Sequence, residues 1–155
     1  MIILDDCSRF VVGWGHFYTK ESLNTAAVLK QALARFGPIA IFFTDNGTEF
    51  KGDLKAVLKK NRIWRMFTFP GNPQQNGKVE RFWPLFEKSC KEIDQIERFI
   101  HKYNRMVHMG LESVKSHRPT PLEIYRSIPC WKPGQTAKWI VDGKLKDIPV
   151  RFTEK

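Results

Sequence analysis

Three features of the chain predict an α/β sheet protein. Short apolar runs alternate with segments of helical periodicity. The run Ile39-Ala40-Ile41-Phe42-Phe43 is continuous, as in a strand covered on both faces. Thr44-Asp45-Asn46-Gly47 then closes it with a turn signal. Sheets of this class gather their chemistry at the carboxyl ends of strands, and Asp45 stands at one.

The elements follow in order. Ile2-Ile3-Leu4 and Arg9-Phe10-Val11-Val12-Gly13-Trp14 flank the polar Asp5-Asp6-Cys7-Ser8 and read as a β-hairpin. Thr19 is the expected cap of a helix with Glu21 in its first turn, where a carboxylate suits the dipole. Leu23, Ala26, Leu29, Leu33 and Phe36 carry its apolar face, and Gly37-Pro38 stops it. After the strand ending at Asp45, a basic helix spans roughly Gly52 to Asn61, with Leu54, Val57 and Leu58 on one face.

Ile63 to Phe69 gives another strand, and Pro70 to Gly77 a loop rich in Pro, Gly, Asn and Gln. The next helix aligns Val79, Phe82, Phe86, Cys90 and Ile93, with Pro84 inside it as a source of a kink. A further helix covers about Asp94 to Met106, and Pro119-Thr120-Pro121 opens a short one ending near Ser127. Trp139-Ile140-Val141, Asp142-Gly143 and Ile148 to Phe152 predict a small β appendage. Residues 1–127 are therefore expected to form the core and 128–155 a C-terminal β extension.

At 155 residues, 42% apolar and 27% charged, the chain is long enough to bury one core and is not of a disordered composition. Twenty-six Lys and Arg against 16 Asp and Glu give a net charge of +10, which favours a polyanionic partner, nucleic acid first. Cys7, Cys90 and Cys130 share no close spacing and read as free thiols of a reducing compartment. His16, His101, His108 and His117 form no zinc-ligand pattern with them. No apolar run is long enough to span a membrane and no signal-peptide layout opens the chain, so an intracellular protein is expected.

Thr44-Asp45-Asn46-Gly47-Thr48-Glu49-Phe50 and Asn72-Pro73-Gln74-Gln75-Asn76-Gly77-Lys78-Val79-Glu80-Arg81 carry the candidate chemistry. They place one acid at a strand end and another at a helix start. Mg²⁺ and Mn²⁺ take oxygen ligands, and a nucleic-acid enzyme supplies only a few, leaving water and phosphate to complete the octahedron. Gly47 and Gly77 allow sharp turns or close approach of a substrate. Lys78, Arg81 and Lys88 lie on the helix of Glu80, in reach of phosphates. Taken singly, Asp45-Asn46-Gly47 is also an ordinary turn and Glu80 an ordinary solvated acid.

These blocks, with Leu4-Asp5-Asp6-Cys7-Ser8-Arg9-Phe10-Val11-Val12-Gly13-Trp14, resemble the catalytic core of retroviral and retrotransposon integrases and the related DDE transposases of mobile elements. A weaker match follows in Tyr103-Asn104, His108 and Thr120-Pro121-Leu122-Glu123, so the resemblance runs to about residue 127. It implies an RNase H-like mixed sheet flanked by helices, and three acids holding two Mg²⁺ or Mn²⁺ ions for DNA strand transfer. By position Asp45 would be the second acid and Glu80 the third. Asn46 would shape the turn at Asp45 and stand among the DNA-binding residues with Gln75, Asn76 and Lys78, beside the Arg81 and Lys88 already read from the helix. DNA is the implied partner, with a homodimer or higher oligomer, and the nucleus the location if the element is eukaryotic.

The resemblance also implies a first acid on a strand preceding the Asp5-Asp6-Cys7-Ser8-Arg9 segment, central between the second strand and the one ending at Asp45. This chain starts beyond it, so the expectation is a truncated core, inactive as it stands. Asp5 and Asp6 are expected to cap the hairpin with Ser8 and Arg9 instead. With strands about 4.8 Å apart, the two neighbours of an absent strand would stand roughly 10 Å apart and expose their edges. The alternatives are a non-catalytic DNA-binding or integrase-pairing remnant and an RNase H-type nuclease. The tail from Trp131 is either the start of a DNA-binding β module or a packing extension.

Overall fold

Strands β1 (Ile2–Leu4) and β2 (Val11–Trp14) pair antiparallel, with a register shift between Ile3 and Leu4. The turn between them is built by Asp5. Its Oδ2 accepts from the Ser8 backbone N–H at 2.8 Å and from the Ser8 hydroxyl at 2.6 Å. Ser8 is fully buried, so these bonds satisfy groups that water cannot reach. Arg9 takes the left-handed conformation at φ 64° and donates its N–H to the Asp5 carbonyl at 2.9 Å. The expected capping role of Asp5 is thus what the turn shows. The computed structural model describes residues 1–67, 77–111 and 117–127, with the backbone of 136–141 and 144–149.

Helix α1 (Ser22–Phe36) starts later than the expected Thr19 cap. Thr19 instead accepts from Asn24 Nδ2 through its carbonyl at 3.0 Å, and Leu23, assigned above to the apolar face, is exposed. The buried stripe is Thr25, Ala26, Val28, Leu29 and Ala32. Ser22 is tied across to helix α2 (Asp53–Lys60): its hydroxyl donates to Asp53 Oδ2 at 2.6 Å and accepts from the Asp53 N–H at 3.1 Å. Gly52 makes this possible, since its φ is 51° and a Cβ there would stand 2.9 Å from Ser22 Oγ.

Strands β3 (Ile41–Thr44) and β4 (Trp64–Phe67) pair parallel, with Ile41 opposite Trp64 and Thr44 opposite Phe67. A 3-10 turn (Thr48–Phe50) and α2 form the crossover between them. Full coverage of β3 is corrected: Phe42 is buried against α1 and α2, but Phe43 is 38% and Trp64 52% exposed on the other face. The strand β4 is also shorter than expected within the described residues, and positions 68–69 lie outside them.

Among the described residues, β1–β2 and β3–β4 are separate two-stranded sheets; no ladder joins β1 to β3. One core nevertheless spans both, joining Ile3 to Val28, Leu29, Phe42, Leu54, Leu58 and Ile63. The opposite side of the hairpin, through Ile2, Leu4 and Val11, packs on helices α3 (Gly77–Ser89) and α4 (Gln95–Tyr103). The hairpin is therefore the middle layer of three.

Helix α3 runs through Pro84 from Gly77 to Ser89, so the Glu80 carbonyl has no N–H four residues on to accept from. Pro84 is exposed, and no ring is forced into the core. Ile93, expected on the apolar face of this helix, is 57% exposed because the helix ends at Ser89. Likewise α4 ends at Tyr103, short of the expected Met106. Asn104 follows, buried: its Oδ1 accepts from the Val11 N–H at 2.8 Å and its Nδ2 donates to the Val11 carbonyl at 3.2 Å. Its own carbonyl accepts from the Leu122 N–H at 2.9 Å, bringing in α5 (Pro121–Ser127).

Thr120 and Glu123 start α5 reciprocally, the Glu123 carboxylate accepting from the Thr120 N–H at 2.7 Å and the Thr120 hydroxyl from the Glu123 N–H at 3.2 Å. Tyr125 then stacks on Phe10 at 4.6 Å and meets Phe36 edge-on, closing α5 onto α1. The expected β appendage is present as an antiparallel hairpin, β5 (Thr136–Val141) with β6 (Lys144–Pro149). No helix among the described residues is long and apolar enough to cross a membrane.

His108 gives this end of the fold a pH dependence. Its Nδ1 accepts from the Gly110 N–H at 3.1 Å, and its ring meets Tyr103 edge-on. Burial first, then the charges of Arg9 and Arg81, lower its pKa from the ordinary 6.5. The unfolded chain therefore binds the proton more readily, and the associated stability is present above 6.5 and lost as pH falls through the folded pKa. Urea melts at pH 7.5 and pH 5.5 are expected to show a lower midpoint in acid, and His108→Gln is expected to shrink that difference. An undiminished difference would mean that other groups carry it.

Candidate functional site

Asp45 leaves β3 exposed to solvent, and its Oδ1 accepts from the Gly47 N–H at 2.9 Å. Part of its acceptor capacity is thus spent on the turn, as the ordinary reading of Asp45-Asn46-Gly47 required. The other oxygen is free of hydrogen bonds among the described residues. Gly47 is needed for space and not for an unusual dihedral: its φ is −54°, but a Cβ there would stand 2.5 Å from Glu49 Oε2 and 3.0 Å from Asp45 Oδ1. Two carboxylates consequently flank the turn, and Glu49 is a neighbour that the sequence reading did not single out.

Arg65 is a second such neighbour. Parallel register puts it opposite Phe42, from where its Nε and Nη2 donate to the Thr44 hydroxyl at 3.1 and 3.0 Å. Its guanidinium lies 4.4 Å over the Phe67 ring. Burial holds its pKa below the ordinary arginine value, and the charge of Asp45 offsets only part of that. A fixed cation therefore stands beside the acid at the strand end. Only the register of β3 against β4 reveals it, and no local motif encodes that.

Glu80 lies exposed in the first turn of α3, where a carboxylate complements the helix dipole. Its neighbour Lys78, a candidate DNA contact, is already engaged: Nζ pairs with Asp6 Oδ1 at 2.6 Å and bonds the Asp6 carbonyl at 3.3 Å. The pair ties the start of α3 to the β1–β2 turn, and in an exposed setting contributes little stability. Arg81 and Lys88 are exposed on the same helix, and Asn46 is exposed beside Asp45. Gln75 and Asn76 lie outside the described residues.

The donor set can be tested against the metal pair that the resemblance implies. Asp45 and Glu80 are hard oxygen donors of the right type. Among the described residues, however, no three His, Cys, Asp or Glu side chains converge to hold a metal ion. Within the described residues the set falls short of a two-ion site.

Residues 1–73 match the integrase core domain family. Among solved structures, the chain is similar to one in the cryo-EM structure of the simian T-cell lymphotropic virus intasome in complex with PP2A regulatory subunit B56 gamma. That similarity has a TM-score of 0.61 and 20% identity, over 92% of this chain and 58% of that one. It is also similar to the crystal structure of the catalytic core domain of BIV integrase, with a TM-score of 0.61 and 20% identity over 81% of this chain and 83% of that one. No curated protein sequence matches.

The fold is that of the integrase catalytic-core superfamily, and the first 73 residues carry the family's sequence pattern. That stretch includes Asp45 and Glu49 and ends before Glu80. The integrase core family is metal-dependent in general. The chain spans 58% of the length of the intasome chain that it matches.

Proposed function

We propose that this chain is a DNA-integration core module that binds DNA and, as residues 1–155, does not perform strand transfer. The integrase core match across the Asp45 turn, on an integrase-core fold, supports the DNA role. Asp45 and Glu80 are the acids that correspond to the family's site; Arg81, Lys88 and Asn46 are exposed and face the phosphates, and Gln75 and Asn76 are further candidate contacts. Lys78 contributes only after release from Asp6. Self-association into a dimer or larger oligomer is part of this reading, which makes the protein an intracellular one.

The test is a duplex-DNA titration across a salt series, beside a joining assay with Mg²⁺ and with Mn²⁺. Binding that weakens steeply with salt and no joined product are expected. A chain that does not bind the duplex would overturn the DNA role. Robust joining would overturn the claim of inactivity.

A further inference from the structure

Acids at one end of the β3–β4 pair stand opposite a lysine pair at the other. Asp45 and Glu49 lie just beyond the carboxyl end of β3, and Asp53 is the first residue of the nearby α2. The chain then descends α2, whose eight residues span about 12 Å. It emerges at Asn61 and Arg62 and enters β4 at Trp64, opposite Ile41 at the amino end of β3. Lys60 and Asn61 therefore stand at the far end of the sheet from the acids.

At that far end, α1 and α2 bound a groove of about 210 Å³ lined by Lys30, Leu33, Val57, Lys60 and Asn61. Its floor is apolar and its rims are two exposed lysines, with no acid in the lining. Among the described residues neither lysine has an ion-pair partner. Lys59 and Lys60 complement the carboxyl end of α2 and so have a local reason to be there. Lys30 has none: it sits in the middle of α1, where no helix end favours a cation. Two like charges on the rims of one groove favour an anion lying along it. Arg62, exposed and in the left-handed conformation at φ 55°, adds a third cation next to Asn61.

We infer that the α1–α2 groove is a second phosphate-backbone surface for duplex DNA, separate from the Asp45 end of the sheet. It rests on the DNA-binding role proposed above and adds where a further stretch of duplex is held. Lys30 and Lys60 contact phosphates across the groove, and Asn61, whose Nδ2 donates to the Val57 carbonyl at 2.8 Å, fixes the end of α2 beneath them. Such contacts position a duplex without reading its sequence.

The experiment uses the full 155-residue chain and a fluorescein-labelled 30-base-pair duplex, followed by anisotropy between 50 and 300 mM KCl. Lys30→Gln/Lys60→Gln is expected to bind about tenfold more weakly at 100 mM salt and to flatten the log–log salt slope by roughly two. Lys20→Gln/Lys102→Gln, which removes the same charge from exposed positions elsewhere, is expected to have much the smaller effect. All four side chains are exposed, so thermal melts are expected to be unchanged and to confirm folding. Wild-type binding with an unaffected groove variant, or equal loss in both variants, overturns this inference alone. No duplex binding by the wild type overturns it together with the DNA role. A groove variant that loses single-stranded RNA but keeps the duplex overturns the choice of partner.

Discussion

Phe82→Ala is expected to cost about 3–5 kcal/mol of folding free energy, a large share of what a domain of this size has. Phe82 is 1% exposed and is the largest fully buried side chain described. Its ring meets Trp83, Phe86, Phe99 and Tyr103 at centroid distances of 5.1 to 5.9 Å. Truncation removes its transfer free energy and leaves a cavity whose rigid aromatic walls cannot easily collapse. Because these rings join α3 to α4 and the hairpin, the loss would also loosen the helix that carries Glu80. Denaturant unfolding followed by circular dichroism reads the effect directly. Should the alanine variant not fold, Phe82→Leu, with a smaller cavity, is expected to fold and to lose about 1–3 kcal/mol. A loss under 1 kcal/mol for the alanine variant would show that the α3–α4 layer is not packed as described.

The parts of this fold that were legible in the sequence are those encoded locally. The Asp5–Ser8 turn and the Thr120–Glu123 helix start are side-chain-to-backbone devices acting over a few residues, and the stop at Gly37-Pro38 is an equally local backbone one. Helix ends read from periodicity alone were less accurate. Ile93 continues an apolar pattern past the point where its helix exists, and Leu23 lies within α1 yet is exposed, because pattern does not tell whether a partner surface is there. Asn104 was visible only through its resemblance to a family position. What it does, bonding both backbone groups of Val11 from 93 residues away, needs the tertiary fold.

The candidate site divides in the same way. Asp45 at a strand end and Glu80 at a helix start were legible, since each is set by its own turn or first helical turn. Arg65 and Glu49 were not. Arg65 reaches Thr44 by the register of two strands that are separated by a whole crossover helix. Lys78 was legible as a cation at a helix start, but its pairing with Asp6 depends on how that helix docks on the hairpin turn.

Asp45→Asn is expected to leave duplex-DNA binding by residues 1–155 intact or to strengthen it about two- to fivefold at low salt. Asparagine can still accept from the Gly47 N–H, so the turn is kept and the comparison reads charge alone. Removing one of the two carboxylates beside Gly47 reduces repulsion of an approaching phosphate and removes the charge of Asp45 that acts on Arg65. Glu80→Gln is expected to act in the same direction, because Arg81 is its exposed neighbour. A working metal-dependent enzyme predicts the opposite: each change would remove a ligand that has no replacement, and both product formation and metal-assisted binding would collapse. The sign of the effect separates the two cases without any need for activity in the starting protein. Anisotropy titrations of wild type, Asp45→Asn and Glu80→Gln, each with and without Mn²⁺, measure it. Wild-type binding that Mn²⁺ strengthens and that either substitution abolishes would show that the two acids hold metal after all. Tighter binding by both variants, indifferent to Mn²⁺, would leave Asp45 and Glu80 as acids at a DNA-facing turn and helix start, whose charge opposes the contact that the surrounding lysines and arginines make.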